Sequence, residues 1–149
     1  MTKNIIITGG AGFIGYHLAN KLSKKNFNIY ILDNLSRGQY DVEFKKLLKE
    51  KNVNFIKIDL REKIKIKIKP HYIYHLAGSV GVNNIKKNSF GSFLNNILTL
   101  KNVIDFNDNF KKKAKFILFS TSEVYSTIIK NKLVKFPIKE NNQIIIEND

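Results

Sequence analysis

Thr8-Gly9-Gly10-Ala11-Gly12-Phe13-Ile14-Gly15 is the stretch whose reading decides the fold of this 149-residue chain. It follows Lys3–Thr8, a short Ile-rich run, and it opens Gly12–Lys25, where Phe13, Ile14, Leu18 and Leu22 recur at helical spacing. Strand, glycine turn and helix are thus expected in that order. Gly9, Gly12 and Gly15 form G-x-x-G-x-x-G: the first permits the tight turn, the second lets the backbone approach a diphosphate, and the third lets helix pack closely on strand. Unpaired N–H groups and the positive end of the helix dipole would then face the phosphates.

Working outward, Asn28–Asp33, Val53–Asp59, His71–Leu76 and Lys115–Ser120 read as further strands, β-branched or aromatic and ended by Asp, Ser or a glycine-rich stretch. Val42–Glu50 and Phe93–Phe110 read as helices, the latter carrying Phe93, Ile97, Leu100, Val103 and Ile104. Strands apolar on both faces and alternating with helices imply a parallel sheet with helices on each side, and right-handed crossovers make it doubly wound. Lys63–Lys69 alternates Lys and Ile and stands where a crossover is needed, so a short irregular crossover is expected before Pro70. Residues 127–149 show no clear periodicity and read as an irregular tail. Asp33 ends the second strand 18 residues after Gly15, where an acid accepts hydrogen bonds from an adenosine ribose. That carboxylate repels a 2′-phosphate, so NAD is favoured over NADP despite the nearby Arg37.

Composition narrows the class. Apolar residues make up 43% and charged residues 26%, which fits a folded globular protein. The chain has no Cys, which removes disulfides and thiolate metal sites, and its 3 His are scattered, so no metal is expected. No apolar run reaches the roughly 18 residues of a membrane span and no signal-peptide pattern follows the amino terminus, so a cytoplasmic protein is the expectation. The net charge of +14 comes almost wholly from Lys spread along the chain, with Arg only at 37 and 61, and reads as a solvated surface rather than a nucleic-acid reader.

These motifs resemble the extended short-chain dehydrogenase/reductase family, the NAD-dependent sugar-nucleotide epimerases, dehydratases and decarboxylases, over almost the whole chain. Thr8–Gly15 is similar to that family's version of the turn. Leu32-Asp33-Asn34-Leu35-Ser36-Arg37-Gly38 resembles its adenosine-binding stretch, and Asp59-Leu60-Arg61 its Asp at the adenine ring. His75-Leu76-Ala77-Gly78 resembles the strand end that lines the cofactor, with Asn96 at the position that braces the site. Phe119-Ser120-Thr121-Ser122-Glu123-Val124-Tyr125 and Val80-Gly81-Val82 look closest to UDP-glucuronate decarboxylases and certain UDP-glucose 4-epimerases. The resemblance implies a Rossmann-type fold and NAD held by Gly9, Gly12, Phe13, Ile14, Gly15, Asp33, Asn34, Ser36, Gly38, Asp59, Leu60, Leu76, Ala77, Gly78 and Asn96. It makes Thr121 the catalytic hydroxyl and sets Val80, Gly81, Ser122 and Glu123 against the sugar. His75 reads as a packed core residue.

The family's reaction passes a hydride from the sugar's C4 to the nicotinamide while a Tyr takes the hydroxyl proton, aided by a Lys four residues later. Residues four beyond each of the 6 Tyr are Asn20, Asn34, Phe44, Leu76, Gly78 and Ile129, so Tyr-x-x-x-Lys is absent. Phe136-Pro137-Ile138-Lys139-Glu140 resembles the loop leading to that Tyr. The expectation is therefore an incomplete sheet of about five strands over 1–149, without the carboxyl-terminal substrate domain and nearly inactive alone. The alternatives are a dinucleotide-binding module without turnover and a basic scaffold for polyanions. Expected partners are a nucleotide sugar, with a UDP-sugar first, a separately encoded carboxyl-terminal half, and a second copy of the chain.

Overall fold

A computed structural model describes all residues except 1, 39, 82–86, 132, 134–135 and 143–149, and gives only the backbone of 122 and 123. It divides into two compact units, Met1–Leu118 and Phe119–Asp149.

The first unit runs β1 (Lys3–Thr8), α1 (Phe13–Ser23), β2 (Phe27–Asp33), α2 (Val42–Leu47), β3 (Val53–Lys57), β4 (Tyr72–His75), α3 (Ser89–Asp108) and β5 (Lys115–Leu118). All strands are parallel, in the order β3-β2-β1-β4-β5. The chain therefore winds outward to one edge, returns beside β1, and winds to the other edge. This is the doubly wound arrangement expected from the strand–helix alternation. Thr8, the last residue of β1, pairs with Leu32 on one side and His75 on the other.

Strand alternation sends Ile5, Ile7, Ile29 and Ile31 to one face, where they pack with Ala19, Phe44 and Leu47 of α1 and α2. Ile6, Leu32 and Ile73 take the other face, with Leu60, Ile64 and α3 residues Val103 and Phe106. Burying each such side chain contributes about 1.5–3 kcal/mol relative to leaving it exposed, so two apolar faces on one sheet are the main stabilising feature. Two helix starts are fixed by side chains. Asp41 Oδ1 accepts from the Phe44 N–H at 2.8 Å, and Asn88 Oδ1 accepts from the Gly91 N–H at 2.9 Å.

Parts of two helix readings change, and the irregular crossover expected over Lys63–Lys69 is found. In α1 the large apolar residues Phe13 and Ile14 are exposed, at 81% and 56%, while the small Gly15 and Ala19 face the sheet. Leu18 and Leu22 are half-buried and pack against the core as read, so the apolar spacing fails only at the first turn, where close approach of helix to strand selects small residues. In α3, Phe93, Ile97 and Ile104 are likewise exposed, whereas Val103 is buried and Leu100 half-buried as read, with Thr99, Phe106 and Asn107 also buried. Residues 63–70 form neither helix nor strand, yet Ile64 is buried, Ile66 and Ile68 are half-buried, and Lys63, Lys65, Lys67 and Lys69 are exposed. The period of two is a packing pattern on an extended crossover.

In the second unit a 3-10 turn (Ser122–Tyr125) leads into a short helix, α4 (Ser126–Lys130). Residues 127–130, at the head of the stretch read as irregular, thus belong to α4; Ile144–Ile146 lie outside the described residues. No helix among the described residues is long and apolar enough to cross a membrane.

Candidate functional site

The turn after β1 is closed by backbone contacts. Gly9 adopts φ +68°, and a Cβ there would stand 2.8 Å from the Ala77 nitrogen. At Gly15 a Cβ would stand 2.5 Å from the Gly9 oxygen and 2.6 Å from the Gly10 Cα. These two glycines let the turn, the first helical turn and the end of β4 occupy one space. Gly12 is the N-cap of α1: it donates to the Gly9 oxygen at 3.1 Å and its own carbonyl accepts from Tyr16 at 2.8 Å. No side chain caps this helix and its first turn holds no acid. The first N–H groups of α1 thus have no side-chain cap, and they stand at the positive end of the helix dipole, where an anionic acceptor is favoured.

The carboxylate at the end of β2 is tied to this turn. Asp33, 9% exposed, accepts from the Ala11 N–H on Oδ2 at 3.1 Å and from the Leu35 N–H on Oδ1 at 2.8 Å. Leu35 takes φ +61°, which turns the chain back over the glycine turn. Asn34 Oδ1 accepts from the Ser36 N–H at 2.9 Å, and Gly38 lies so close to Ala11 that a Cβ would meet the Ala11 Cβ at 2.6 Å. At the neighbouring strand end, Asp59 is held by the Arg61 side chain through both carboxylate oxygens. This bond, with a further one from the Asn34 side chain, holds the Asp59 carboxyl below the ordinary range. Asp33, Asn34, Ser36, Gly38 and Asp59 are therefore gathered around the ends of β2 and β3. Leu60 is different: its side chain is 4% exposed, in the core with Ile64 and Val103.

The end of β4 carries a polar relay that the sequence reading missed in part. Thr8 Oγ1 lies 2.8 Å from His75 Nδ1 and accepts from the Leu76 and Ala77 N–H groups at 3.2 and 3.3 Å. Burial pushes the His75 pKa down to about 4, so the ring is neutral at pH 7 and acts as packing and acceptor. Asn96 Oδ1 accepts from the Ser79 N–H at 2.6 Å and lies beside Gly78, while Asn95 Nδ2 donates to Ser79 Oγ at 2.8 Å. The contributions of Thr8, Asn95 and Ser79 had one signal in sequence: polar residues at the end of an apolar central strand and facing it from α3.

Val80 and Gly81 follow on this loop, Gly81 with φ +103°, and Val82 lies outside the described residues. Thr121 is exposed in the second unit, shortly after β5 in the chain, and the side chains of Ser122 and Glu123 lie outside the description. Among the described residues no group of three or more His, Asp or Glu could hold a metal ion.

This arrangement matches known proteins. A dTDP-D-glucose 4,6-dehydratase of Dictyostelium discoideum is 41% identical over 132 residues, covering 84% of this chain and 30% of the relative. An epimerase structure from Methanothermobacter thermautotrophicus superposes with TM-score 0.78 at 28% identity, covering 93% of this chain and 40% of that one. A UDP-glucose 4-epimerase of Thermus thermophilus in complex with NAD superposes with TM-score 0.58 at 27% identity, over 68% of this chain and 32% of that one. The chain thus spans between about a third and two fifths of the length of these proteins. A match to the family described as GDP-mannose 4,6 dehydratase extends over residues 6–144, nearly the whole sequence, and the chain belongs to that family.

Proposed function

We propose that this chain is the NAD-binding part of a nucleotide-sugar epimerase, dehydratase or decarboxylase that works by oxidising the sugar at C4. The observation that carries this reading is the glycine turn. Gly9 and Gly15 leave no room for a side chain, the start of α1 is uncapped, and the Asp33 carboxylate is anchored to the Ala11 N–H. These features suit a diphosphate on the helix start and a ribose hydroxyl pair at Asp33. The NAD complex of the similar epimerase supports the choice of cofactor. Bound here, NAD supplies the hydride acceptor. In this reading Phe13 and Ile14 contribute main-chain N–H groups, and Asp59 and Asn34 stand by the adenine. Ala77 and Gly78, braced by Asn96, line the crevice farther along.

Thr121 is assigned the hydroxyl that hydrogen-bonds the sugar's 4-OH, with Val80, Gly81, Ser122 and Glu123 against the sugar and a UDP-sugar as substrate. A positioned base contributes on the order of 100- to 10,000-fold, and no Tyr-x-x-x-Lys occurs among these 149 residues. By itself, then, the chain binds NAD without turnover. A second reading is a dinucleotide-binding module with no reaction of its own. Mixing the chain with a carboxyl-terminal fragment bearing Tyr-x-x-x-Lys and following conversion of UDP-sugars to product by chromatography separates the two, since the hydride taken up by NAD is returned to the sugar in each cycle. Turnover supports the enzyme reading, and NAD binding without turnover supports the module.

A further inference from the structure

The loops after β2, β1 and β4 stand side by side, because β1 lies between the other two strands in the sheet. Arg37, in the loop after β2, donates from Nη1 to the carbonyl of Val80, in the loop after β4, at 2.7 Å. Its side chain therefore bridges the two loops that flank the glycine turn. Its neighbour Gly38 is pressed on Ala11, within that turn, so the base of the side chain is fixed there too. Arg37 is exposed, and its partner is a neutral carbonyl rather than a carboxylate. The other arginine, Arg61, is committed to Asp59. Residues 8–14 carry no charged side chain, and between Asn34 and Tyr40 the sequence has no cation but Arg37.

A guanidinium held across an anion-binding turn by a neutral acceptor can exchange that acceptor for an anionic one, gaining a charge-assisted bond of better strength. We propose that Arg37 is a diphosphate clamp. In the free protein it straps the crevice through Val80, and on binding it releases that carbonyl and pairs with the diphosphate bridge of the dinucleotide. This deepens the cofactor reading above and rests on it. It also separates the roles of two neighbours: Asp33 reads the ribose and Arg37 the phosphates.

The test is calorimetry on the full chain and its Arg37→Met and Arg37→Lys variants with NAD, NADP, ADP-ribose and adenosine. Replacing one charge-assisted bond should weaken NAD and ADP-ribose by about 10- to 100-fold in Arg37→Met. Arg37→Lys should recover part of the loss, and adenosine, which has no diphosphate, should bind all three proteins equally. NAD affinity unchanged in Arg37→Met overturns the clamp while leaving the cofactor reading intact. An equal loss for adenosine overturns it in favour of a loop-shaping role. A loss confined to NADP overturns it in favour of a 2′-phosphate contact. If the unaltered chain binds none of the four, the cofactor reading itself fails, and the clamp with it.

Discussion

The Thr8 hydroxyl donates a hydrogen bond to Nδ1 of His75, 2.8 Å away across the β1–β4 pair. The assignment follows from the two amide donors, Leu76 and Ala77, that already point at Thr8 Oγ1. The ring is then neutral with its proton on Nε2, and it locks the carboxyl ends of two adjacent strands where the crevice opens.

A pH dependence follows. His75 has its pKa pushed down to about 4 by burial, against an ordinary 6.5. Above pH 6.5 it is neutral folded or unfolded and adds nothing to the pH dependence. Below 6.5 the unfolded chain takes up a proton that the folded chain refuses, so stability falls as pH drops toward 4. The full difference amounts to about 3 kcal/mol. Urea unfolding at pH 7 and pH 4.5 should show most of this loss, and His75→Gln should flatten it over that window. An equal pH slope in the variant contradicts the assignment.

Gly12 and Gly15 should separate binding from folding. A Cβ at Gly12 would meet only the Gly9 oxygen, at 3.2 Å, so Gly12→Val intrudes on the phosphate approach more than on the packing. It should abolish NAD binding with helix content largely kept. A Cβ at Gly15 falls 2.5 Å from backbone, and Gly15→Val should cost about 1–3 kcal/mol of stability as overpacking. Circular dichroism melts beside calorimetry check both; unchanged NAD affinity in Gly12→Val counts against the turn as the site.

Asp33→Ala should weaken NAD far more than NADP. The carboxylate that would accept the ribose hydroxyls is lost, and so is its repulsion of a 2′-phosphate. The variant also leaves the Ala11 and Leu35 N–H groups without their acceptor, at about 1–3 kcal/mol each where buried. Calorimetry with each cofactor, below the variant's melting range, decides; equal losses for the two count against the ribose assignment.

The extended crossover offers a test of packing. Ile64 is 6% exposed and clustered with Leu60 and Val103, so Ile64→Ala should cost about 2–5 kcal/mol. Lys65→Ala, one residue on and exposed, should stay within about 0.5 kcal/mol. Similar effects at both positions in urea melts would contradict the alternation.

The sheet was legible because its strands are short, apolar on both faces and punctuated by glycine or polar residues, and only a parallel sheet between helix layers buries both faces. The glycine turn and Asp33 were legible because their spacing is imposed by backbone geometry. The helix faces were legible only in part: Leu18, Leu22 and Val103 pack inward as read, but Phe13 and Ile14 look like core residues until the close approach at Gly15 shows that the start of α1 must be small against the sheet, and Phe93 of α3 is exposed too. The caps Asp41 and Asn88, and the Thr8–His75 pair, depend on contacts that a linear pattern does not display. Arg37 entered the sequence reading only as a candidate for a 2′-phosphate; its bond to Val80 spans 43 positions and is visible only in three dimensions.

The most direct test of the central claim is a crystal structure of the chain grown with excess NAD. The diphosphate should lie against the main-chain N–H groups at the start of α1, with the adenosine ribose hydroxyls on Asp33. A crevice left empty at saturating cofactor, or NAD bound away from residues 9–15, would contradict it.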